Sequence, residues 1–161
     1  MTYTIRLAYE DTDAVRELFA EYTAMLTAED EEIDAYLTMQ HYDEELLHLE
    51  EKYGLPAGRL YVAYCGETPA GCIALRKIDD TYGEVKRLYV RPAFRGTGLS
   101  HALMDRILTD ARTIGYRALR LDTLPFLRRA ISLYRQYGFT EIPRYNDCPV
   151  ATAIYMERDL T

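Results

Sequence analysis

The sequence lacks tryptophan, contains only three cysteines and has no long apolar run. Cys65, Cys72 and Cys148 form no C-x-x-C pair, and their odd number disfavours a disulfide framework, so we expect free thiols in a reducing compartment. A membrane-spanning helix would need about 18 consecutive apolar residues, and no such run is present. Residues 1–6 do not begin the basic and then apolar pattern of a signal peptide. The sequence therefore predicts a cytoplasmic protein with no membrane partner.

Positive charge is absent from residues 28–51, which contain ten acidic side chains and no lysine or arginine. Arginines are frequent from Lys86 onward, so charge is unevenly distributed along the chain. The formal net charge of −7 disfavours non-specific binding of nucleic acid, and we expect no nucleic acid partner. The acidic segment has two interpretations that the sequence leaves open: a solvated helix face, or a surface that attracts a cation.

Length and composition indicate one ordinary globular domain over residues 1–161, with 48% hydrophobic and 28% charged residues. Period-two alternation and turn residues predict strands, and apolar stripes at helical spacing predict helices. The predicted order is β-α-α-β-β-β-α-β-α-β-β, which implies an α/β (α+β) fold with a mixed sheet and helices on its faces. The predicted strands are Thr2–Ala8, Arg59–Cys65, Ala70–Lys77, Tyr82–Val90, Arg117–Asp122, Phe139–Ile142 and Thr152–Arg158. Four helices are predicted. The first follows a cap at Asp11 or Thr12, the second covers about 31–50, the third follows the loop at Gly98 and ends at Gly115, and the fourth spans Phe126–Tyr137 after Pro125.

The strongest functional signal is a loop with two glycines, Gly96 and Gly98, between a strand and a helix. The first backbone N–H groups of a helix have no internal acceptor, and the helix dipole adds partial positive charge there. Glycines allow a close approach of the backbone, so a phosphate or pyrophosphate fits at this position. The residues that follow Gly98 match neither a P-loop nor a G-x-G-x-x-G dinucleotide motif. A tight turn without a ligand is the alternative.

At this loop the sequence resembles the GNAT acetyltransferases. Their coenzyme signature, [Arg/Gln]-x-x-Gly-x-[Gly/Ala], is matched by Arg95 and Gly98, with Ser100 as a small departure. The helix and strand around Ala130–Phe139 resemble the second coenzyme motif of the family, although Leu127 stands where many members have asparagine. The segment Glu84–Val90 resembles the family's central strand. The resemblance implies the GNAT fold, with a mostly antiparallel central sheet and helices on both faces.

The resemblance also implies that acetyl-CoA is the co-substrate and that no metal takes part. Backbone groups of the central strand are expected to pair with the pantetheine arm, and backbone amides of the loop are expected to hold the pyrophosphate. The expected coenzyme-binding residues are Leu88, Tyr89, Val90, Arg95, Gly96, Thr97, Gly98, Leu99, Ser100 and Tyr134.

Two residues are the expected catalysts. Tyr134 is expected to protonate the leaving sulfur, because a tyrosine of ordinary pKa near ~10 is a protonated donor at neutral pH. Glu84 is expected to take the amine proton through water, because alternation along an unbulged strand places it on one face with Leu88 and Val90. The alternatives are a core tyrosine for Tyr134, and an ion pair with Lys86 or an arginine for Glu84.

The acceptor is expected to be an amine of a small molecule or a peptide, attacked directly in a ternary complex. If the acidic segment borders the acceptor site, it favours a cationic amine. Two other functions stay open: a non-catalytic acyl-CoA-binding or regulatory module on the same fold, and a tyrosine-rich interaction domain without coenzyme. A homodimer is one assembly that the sequence leaves open. The histidines His41 and His48 lack a third metal ligand, His101 is interpreted as a helix-start residue, and Cys148 as a thiol outside the chemistry.

Overall fold

The structure, a computed structural model, describes residues 1–29, 33, 42–148 and 150–161. Its strands are β1 (Thr4–Leu7), β2 (Arg59–Cys65), β3 (Thr68–Lys77), β4 (Tyr82–Val90), β5 (Ala118–Thr123), β6 (Thr140–Ile142) and β7 (Ile154–Asp159). Its α-helices are α1 (Thr12–Glu29), α2 (Tyr42–Leu47), α3 (Leu49–Tyr53), α4 (Leu99–Ile114) and α5 (Arg128–Gln136), and a 3₁₀ turn covers Pro92–Phe94. None of the helices within these residues is long and apolar enough to cross a membrane.

All seven strands form one sheet in the order β1-β2-β3-β4-β5-β7-β6. The β4–β5 pair is parallel and the other pairs are antiparallel, as the mixed and mostly antiparallel prediction requires. Helix α4 connects β4 to β5, which is the crossover that a parallel pair needs. The predicted fold class is confirmed.

The sheet has an apolar core on each face. On one face, strand residues pack against α1 and α3, and we call this the α1 face; its core includes Val15, Phe19, Tyr53, Val62 and Cys72. On the other, strand residues pack against α4 and α5, and we call this the α4 face; its core includes Ile73, Val85, Leu103, Ile107 and Leu133. The strong apolar stripe of α4 explains its position, because its buried side chains recur at helical spacing.

Two helix predictions differ from the structure. The helix predicted after Pro125 begins only at Arg128, with Leu127 at its N-cap, so Pro125 lies before the helix rather than in its first turn. The helix predicted over 31–50 is also different at its end, where the structure has two short helices, α2 and α3. Gly54 follows the last residue of α3. The rest of that predicted helix, residues 30–32 and 34–41, lies outside the described residues.

Candidate active site

The central strand β4 contains a bulge at Arg87 and Leu88. Lys86 pairs with Ala74 and Tyr89 pairs with Cys72, so two residues of β4 stand opposite one residue of β3. Arg87 adopts a φ of 58°, a left-handed conformation that is uncommon for a residue with a side chain. A bulge leaves its extra residue outside the regular ladder of hydrogen bonds and changes the direction of the following side chains.

Strands β4 and β5 separate after a short contact. They pair only at three positions, from Tyr82 with Ala118 to Glu84 with Arg120. Beyond Glu84 the described residues of β5 pair with β7 on the other side, and the β4 edge from Lys86 to Val90 faces a gap in the sheet. Among the described residues, no strand pairs with β4 along this part of its edge.

A small cavity of about 40 Å³ occupies the gap. Tyr134 borders it from α5 on the α4 face, and Tyr22 and Leu26 border it from α1 on the opposite face. The strands contribute Lys86 and Asp122, among others, to its walls. The cavity therefore joins the two faces of the sheet at the point where the strands diverge.

Tyr134 is buried, with 7% of its surface exposed, and it packs 5.9 Å from the Phe139 ring. Burial raises the pKa of its hydroxyl well above the ordinary value, so the group stays protonated at neutral pH. Across the described residues, no hydrogen-bond partner is recorded for this hydroxyl. Tyr134 is thus a core residue whose protonated hydroxyl belongs to a side chain that lines the gap, and its role as a proton donor stays a prediction. Both sequence interpretations of this tyrosine describe part of its environment.

The loop from Arg95 to Ser100 has the geometry of an anion site. Gly96 and Gly98 have φ values of 75° and 86°, and a Cβ atom on either would meet nothing within 4 Å, so the loop surface is open. Helix α4 begins immediately after Gly98, and its first internal hydrogen bond runs from Ala102 N–H to the Gly98 carbonyl. The N–H groups of the first turn, from Leu99 to His101, therefore lack acceptors within the helix, whereas the Arg95 N–H already donates to the Pro92 carbonyl at 3.3 Å.

Side chains around this loop hold it against the sheet. The Thr97 hydroxyl donates to the Phe94 carbonyl at 2.6 Å and lies 2.6 Å from the Tyr3 hydroxyl. Arg95 donates its Nε–H to the Val90 carbonyl at 3.0 Å, which ties the loop to the end of β4. Leu99 is buried in the core, so only its backbone can contribute to the loop surface. A carbonyl has two lone pairs, so Val90 can still accept a second hydrogen bond.

The structure corrects the argument that placed Glu84 beside the pantetheine edge. Because of the bulge, Leu88 and Val90 pack on the α4 face, whereas Glu84 pairs with Arg76 on the α1 face. The alternation that puts Glu84, Leu88 and Val90 on one face is therefore wrong. Tyr89 also turns to the α1 face, where it packs 5.9 Å from Tyr22.

Glu84 is the centre of a buried ionic cluster. Its carboxylate lies 2.7 Å from Arg76 Nε and 3.4 Å from Lys86 Nζ, and accepts a hydrogen bond from the Tyr145 hydroxyl at 2.5 Å. Burial favours the neutral form, but the charges of Lys86 and Arg76 and the Tyr145 hydrogen bond outweigh it and lower the pKa to about 2. The alternative interpretation, an ion pair with Lys86 and an arginine, is confirmed. A carboxylate with so low a pKa is a weak base, so proton removal by Glu84 stays a prediction.

The acidic segment contributes a second buried cluster. Glu45 accepts hydrogen bonds from Arg87 at 3.0 and 3.1 Å, and from Lys52 and Tyr53 at 2.6 Å each. Burial raises the Glu45 pKa, but Arg87 and Lys52 outweigh it and hold the value near about 2. This carboxylate therefore fixes α2 to the bulge and is neutralised by protein cations. Of the nine other acidic residues of the segment, the four at 30–32 and 34 lie outside the described residues.

The remaining candidates lie as follows. His101 is exposed on the first turn of α4, 5.7 Å from the Tyr137 ring, as its helix-start interpretation requires. His48 is exposed near Glu51, and His41 lies outside the described residues. Cys148 borders the gap, and burial raises its thiol pKa, so a thiolate nucleophile is disfavoured.

The sequence analysis missed two charged residues of the gap, Lys86 and Asp122. Both stand on the α1 face, and their Nζ and Oδ1 atoms are 3.9 Å apart. Asp122 could have been identified as a candidate site residue from the sequence, because it lies near the carboxyl end of a predicted strand and the ends of neighbouring strands meet at one place in a sheet. No comparable pattern identified Lys86, because an ion pair with Glu84 was sufficient to account for a lysine at this position.

Comparisons with known proteins agree with this geometry. The profile described as "Acetyltransferase (GNAT) family" matches residues 13–139. An uncharacterised N-acetyltransferase of Schizosaccharomyces pombe is 34% identical over 154 residues, covering 94% of this chain and 90% of the relative. A protein of Azospirillum brasilense named IAA acetyltransferase is 36% identical, covering 81% of this chain and 87% of its own.

A solved structure shows the same fold. The PaiA N-acetyltransferase of Thermoplasma acidophilum, crystallised with coenzyme A, superposes with a TM-score of 0.76 over 99% of each chain at 20% identity. The strand gap, the glycine loop at the start of α4, and these relatives lead to one conclusion. The chain belongs to the GNAT family and is an N-acetyltransferase.

Proposed function

We propose that this enzyme transfers the acetyl group of acetyl-CoA to an amine of a small molecule or peptide, by direct attack in a ternary complex. The observation that carries the proposal is the gap between β4 and β5, which is bordered by Tyr134 on one face and by Lys86 and Asp122 on the other. Two substrates that approach from opposite faces meet in such a gap without a covalent enzyme intermediate.

Acetyl-CoA fits the α4 side of the gap. Backbone amides of the loop, from Gly96 to Ser100, bind the pyrophosphate, since the Arg95 amide is already bonded to the Pro92 carbonyl. The β4 edge from Leu88 to Val90 pairs with the pantetheine arm as an added strand. The loop is open at Gly96 and Gly98, where a Cβ atom would meet nothing within 4 Å. This open surface supports the position proposed for the pyrophosphate. The Thermoplasma neighbour with the same fold was crystallised with coenzyme A, which supports coenzyme binding by this fold.

Acetyl transfer then needs a donor for the sulfur and a donor for the carbonyl oxygen. The amine nitrogen forms a bond with the thioester carbon, and the carbon–sulfur bond breaks with its electron pair on sulfur. Tyr134 gives its hydroxyl proton to that sulfur, and a backbone N–H of the β4 bulge polarises the carbonyl oxygen. The nitrogen loses a proton to water, and solvent returns a proton to the Tyr134 phenolate. The products are then the amide and the free thiol, and the enzyme regains its starting protonation state.

Tyr134→Phe tests this mechanism. The substitution keeps the ring, and no hydrogen bond is recorded from this hydroxyl in the described part of the chain, so folding is retained. We expect thiol release with a panel of amines to fall by about 10²–10⁴, the usual effect of losing a general acid. Tyr64→Phe is the matched control, because Tyr64 is a buried tyrosine of β2 on the α1 face, two strands from β4, and its turnover should be unchanged.

Two results contradict the proposal. If acetyl-CoA stabilises the wild type but no amine accelerates thiol release, the enzyme does not use an amine acceptor of these classes. If Tyr134→Phe keeps full turnover while chemistry limits the rate, Tyr134 serves the core alone.

A further inference from the structure

Two tyrosine side chains border the gap from opposite faces of the sheet. Tyr134 lies on α5 at the α4 face, and Tyr22 lies on α1 at the α1 face. Burial raises the pKa of Tyr134, and the Tyr22 hydroxyl raises it further, which indicates that the two hydroxyls lie near each other. Acetyl-CoA fits the α4 side in the proposed function, so the amine enters from the α1 face. Tyr22 therefore places a hydroxyl on the side from which the acceptor arrives.

The ring of Tyr22 is fixed by packing. It lies 5.9 Å from the Tyr89 ring, centroid to centroid, and contacts two clusters of buried apolar side chains. One cluster is the core of the α1 face, and the other contains Leu26 and Leu124 beside the gap. Side chains in close-packed surroundings keep one position on average. Since the phenol oxygen lies on the axis of the ring, the oxygen of Tyr22 is held in place as well.

The hydroxyl of Tyr22, unlike its ring, has no partner within the described part of the chain. By contrast, the hydroxyls of Tyr53 and Tyr145 donate to Glu45 and Glu84. A hydroxyl that folding shields from water without giving it a partner is rare, because its lost hydrogen bonds are not replaced. Such a group beside a reaction site is available to a substrate.

The charged side chains that border the cavity are already engaged within the protein. Among the described residues, Lys86 and Arg87 are cations, which only donate hydrogen bonds, and Asp122 is engaged by Asn146 and Lys86. A phenol oxygen has two lone pairs. Burial raises the Tyr22 pKa to about 12 against the opposing charge of Arg87. Tyr22 therefore stays protonated at neutral pH and can accept a hydrogen bond without taking the proton.

From this arrangement we infer that Tyr22 binds the acceptor, and that its phenol oxygen accepts a hydrogen bond from one N–H of the attacking amine. The fixed oxygen directs this N–H towards α1 and leaves the nitrogen lone pair for the thioester carbon in the gap. The nitrogen gains positive charge as the carbon–nitrogen bond forms, so the hydrogen bond is stronger in the transition state than in the ground state. The second N–H loses its proton to water as in the proposed mechanism, and Tyr22 remains a neutral phenol. The inference rests on the proposed acetyl transfer to an amine.

Tyr22→Phe provides the first test, because it removes the hydroxyl and keeps the ring that packs against Tyr89. Thiol release is measured at saturating acetyl-CoA with the best amine from a panel of primary amines. We expect kcat/KM for that amine to fall by about 10- to 100-fold, mostly through kcat, as for the loss of one hydrogen bond to a charged group. Stabilisation by acetyl-CoA should be unchanged, because the coenzyme fits the other face. Tyr64→Phe is the matched control, since Tyr64 is a buried tyrosine of the α1 face outside the cavity wall, and it should keep the wild-type kcat/KM.

A second replacement separates a hydrogen-bond acceptor from a donor or a packing role. The side chain of Tyr22 is replaced by 3,5-difluorotyrosine, whose fluorine atoms withdraw electron density from the oxygen. The oxygen becomes a weaker acceptor and the O–H a stronger donor. We expect a partial loss of kcat/KM for the amine, smaller than that of Tyr22→Phe. The same replacement of Tyr64 is the control, and stabilisation by acetyl-CoA verifies that each protein is folded and binds the coenzyme.

The outcomes separate this inference from the proposed function. If Tyr22→Phe keeps the wild-type kcat/KM with an amine that the wild type acetylates, the inference fails while acetyl transfer stands. A rise of kcat/KM with the difluorinated side chain also overturns it, because the hydroxyl is then a donor. An unchanged value assigns the loss in Tyr22→Phe to packing and overturns it as well. If no amine accelerates thiol release by the wild type, the proposed function fails and the inference fails with it.

Discussion

Replacing Glu84 by glutamine separates a structural role of this residue from a catalytic one. Glutamine has nearly the same shape but no charge, so Arg76 and Lys86 lose their shared anion in a site where Glu84 is 1% exposed. Burial alone disfavours the carboxylate, but its two cations and the Tyr145 hydrogen bond lower its pKa from 4.5 to about 2. This shift corresponds to about 3 kcal/mol of stability at neutral pH.

An independent magnitude agrees with this value. Removing one partner of a buried ion pair typically costs about 3–5 kcal/mol, because the other charge stays buried without its counter-ion. For a chain of this length each kcal/mol lowers the melting temperature by about 2–4 °C. We therefore expect Glu84→Gln to melt roughly 6–20 °C below the wild type at pH 7, with turnover per folded molecule within about 3-fold.

Calorimetric melting at pH 7 and thiol-release assays well below the melting temperature measure the two effects separately. Glu157→Gln is a suitable control, because Glu157 pairs with Arg120 at 2.8 Å but keeps 29% of its side chain exposed. Such a pair contributes about 0–1 kcal/mol, so the control should melt within a few degrees of the wild type. A Glu84→Gln enzyme with unchanged stability and a turnover at least 100-fold lower would refute the reasoning and restore Glu84 as the base.

Two further predictions concern the glycine loop and acid stability. Gly98→Asp should abolish the stabilisation by acetyl-CoA, which is about 2.7 kcal/mol at a coenzyme concentration of 100 times Kd. Gly115→Asp should retain it, because Gly115 has the same open space and positive φ but lies at the other end of α4. Normal coenzyme binding by Gly98→Asp contradicts the loop assignment. Glu45 and Glu84 have folded pKa values lowered from 4.5 to about 2, so their stabilisation is complete above about pH 4.5 and is lost as the pH falls towards 2. Urea unfolding between pH 7 and pH 2.5 should show this loss, and a flat profile below pH 5 argues against both ionic clusters.

The strands and the loop were predictable because local patterns determine them. The predicted bounds Arg59–Cys65 and Tyr82–Val90 match β2 and β4, and Gly98 marks the start of α4. Turn residues punctuate these strands, and the positive φ of the loop glycines is a property of the residue type. The proposed coenzyme side of the site depends mostly on backbone groups, so a short motif was enough to propose its position.

The acceptor side was not predictable in the same way, because its residues come from distant parts of the chain. Glu45 reaches Arg87 across 42 positions, and Tyr145 reaches Glu84 across 61. The bulge that determines the face of Arg87, and that separates Glu84 from the face of Leu88, could not be predicted from the residues of β4. Neither glycine nor asparagine, the residues that favour a positive φ, occupies it. Strict alternation would place Glu84 on one face of β4 with Lys86, Leu88 and Val90. In the structure Glu84 shares its face with Lys86 but not with Leu88 and Val90, because the bulge lies between them.

The bulge has a consequence for comparing this strand between relatives. Lys86 and Arg87 are consecutive but point to the same face, so the alternation of β4 is in opposite phase before and after them. If one residue were deleted here, Tyr89 would move from the α1 face to the α4 face, and Val90 would move from the α4 face to the α1 face. A relative without the bulge must therefore show the inverse polar and apolar order in the last residues of this strand. The order of polar and apolar residues at the end of this strand therefore indicates, from sequence alone, whether a relative keeps the same gap between β4 and β5.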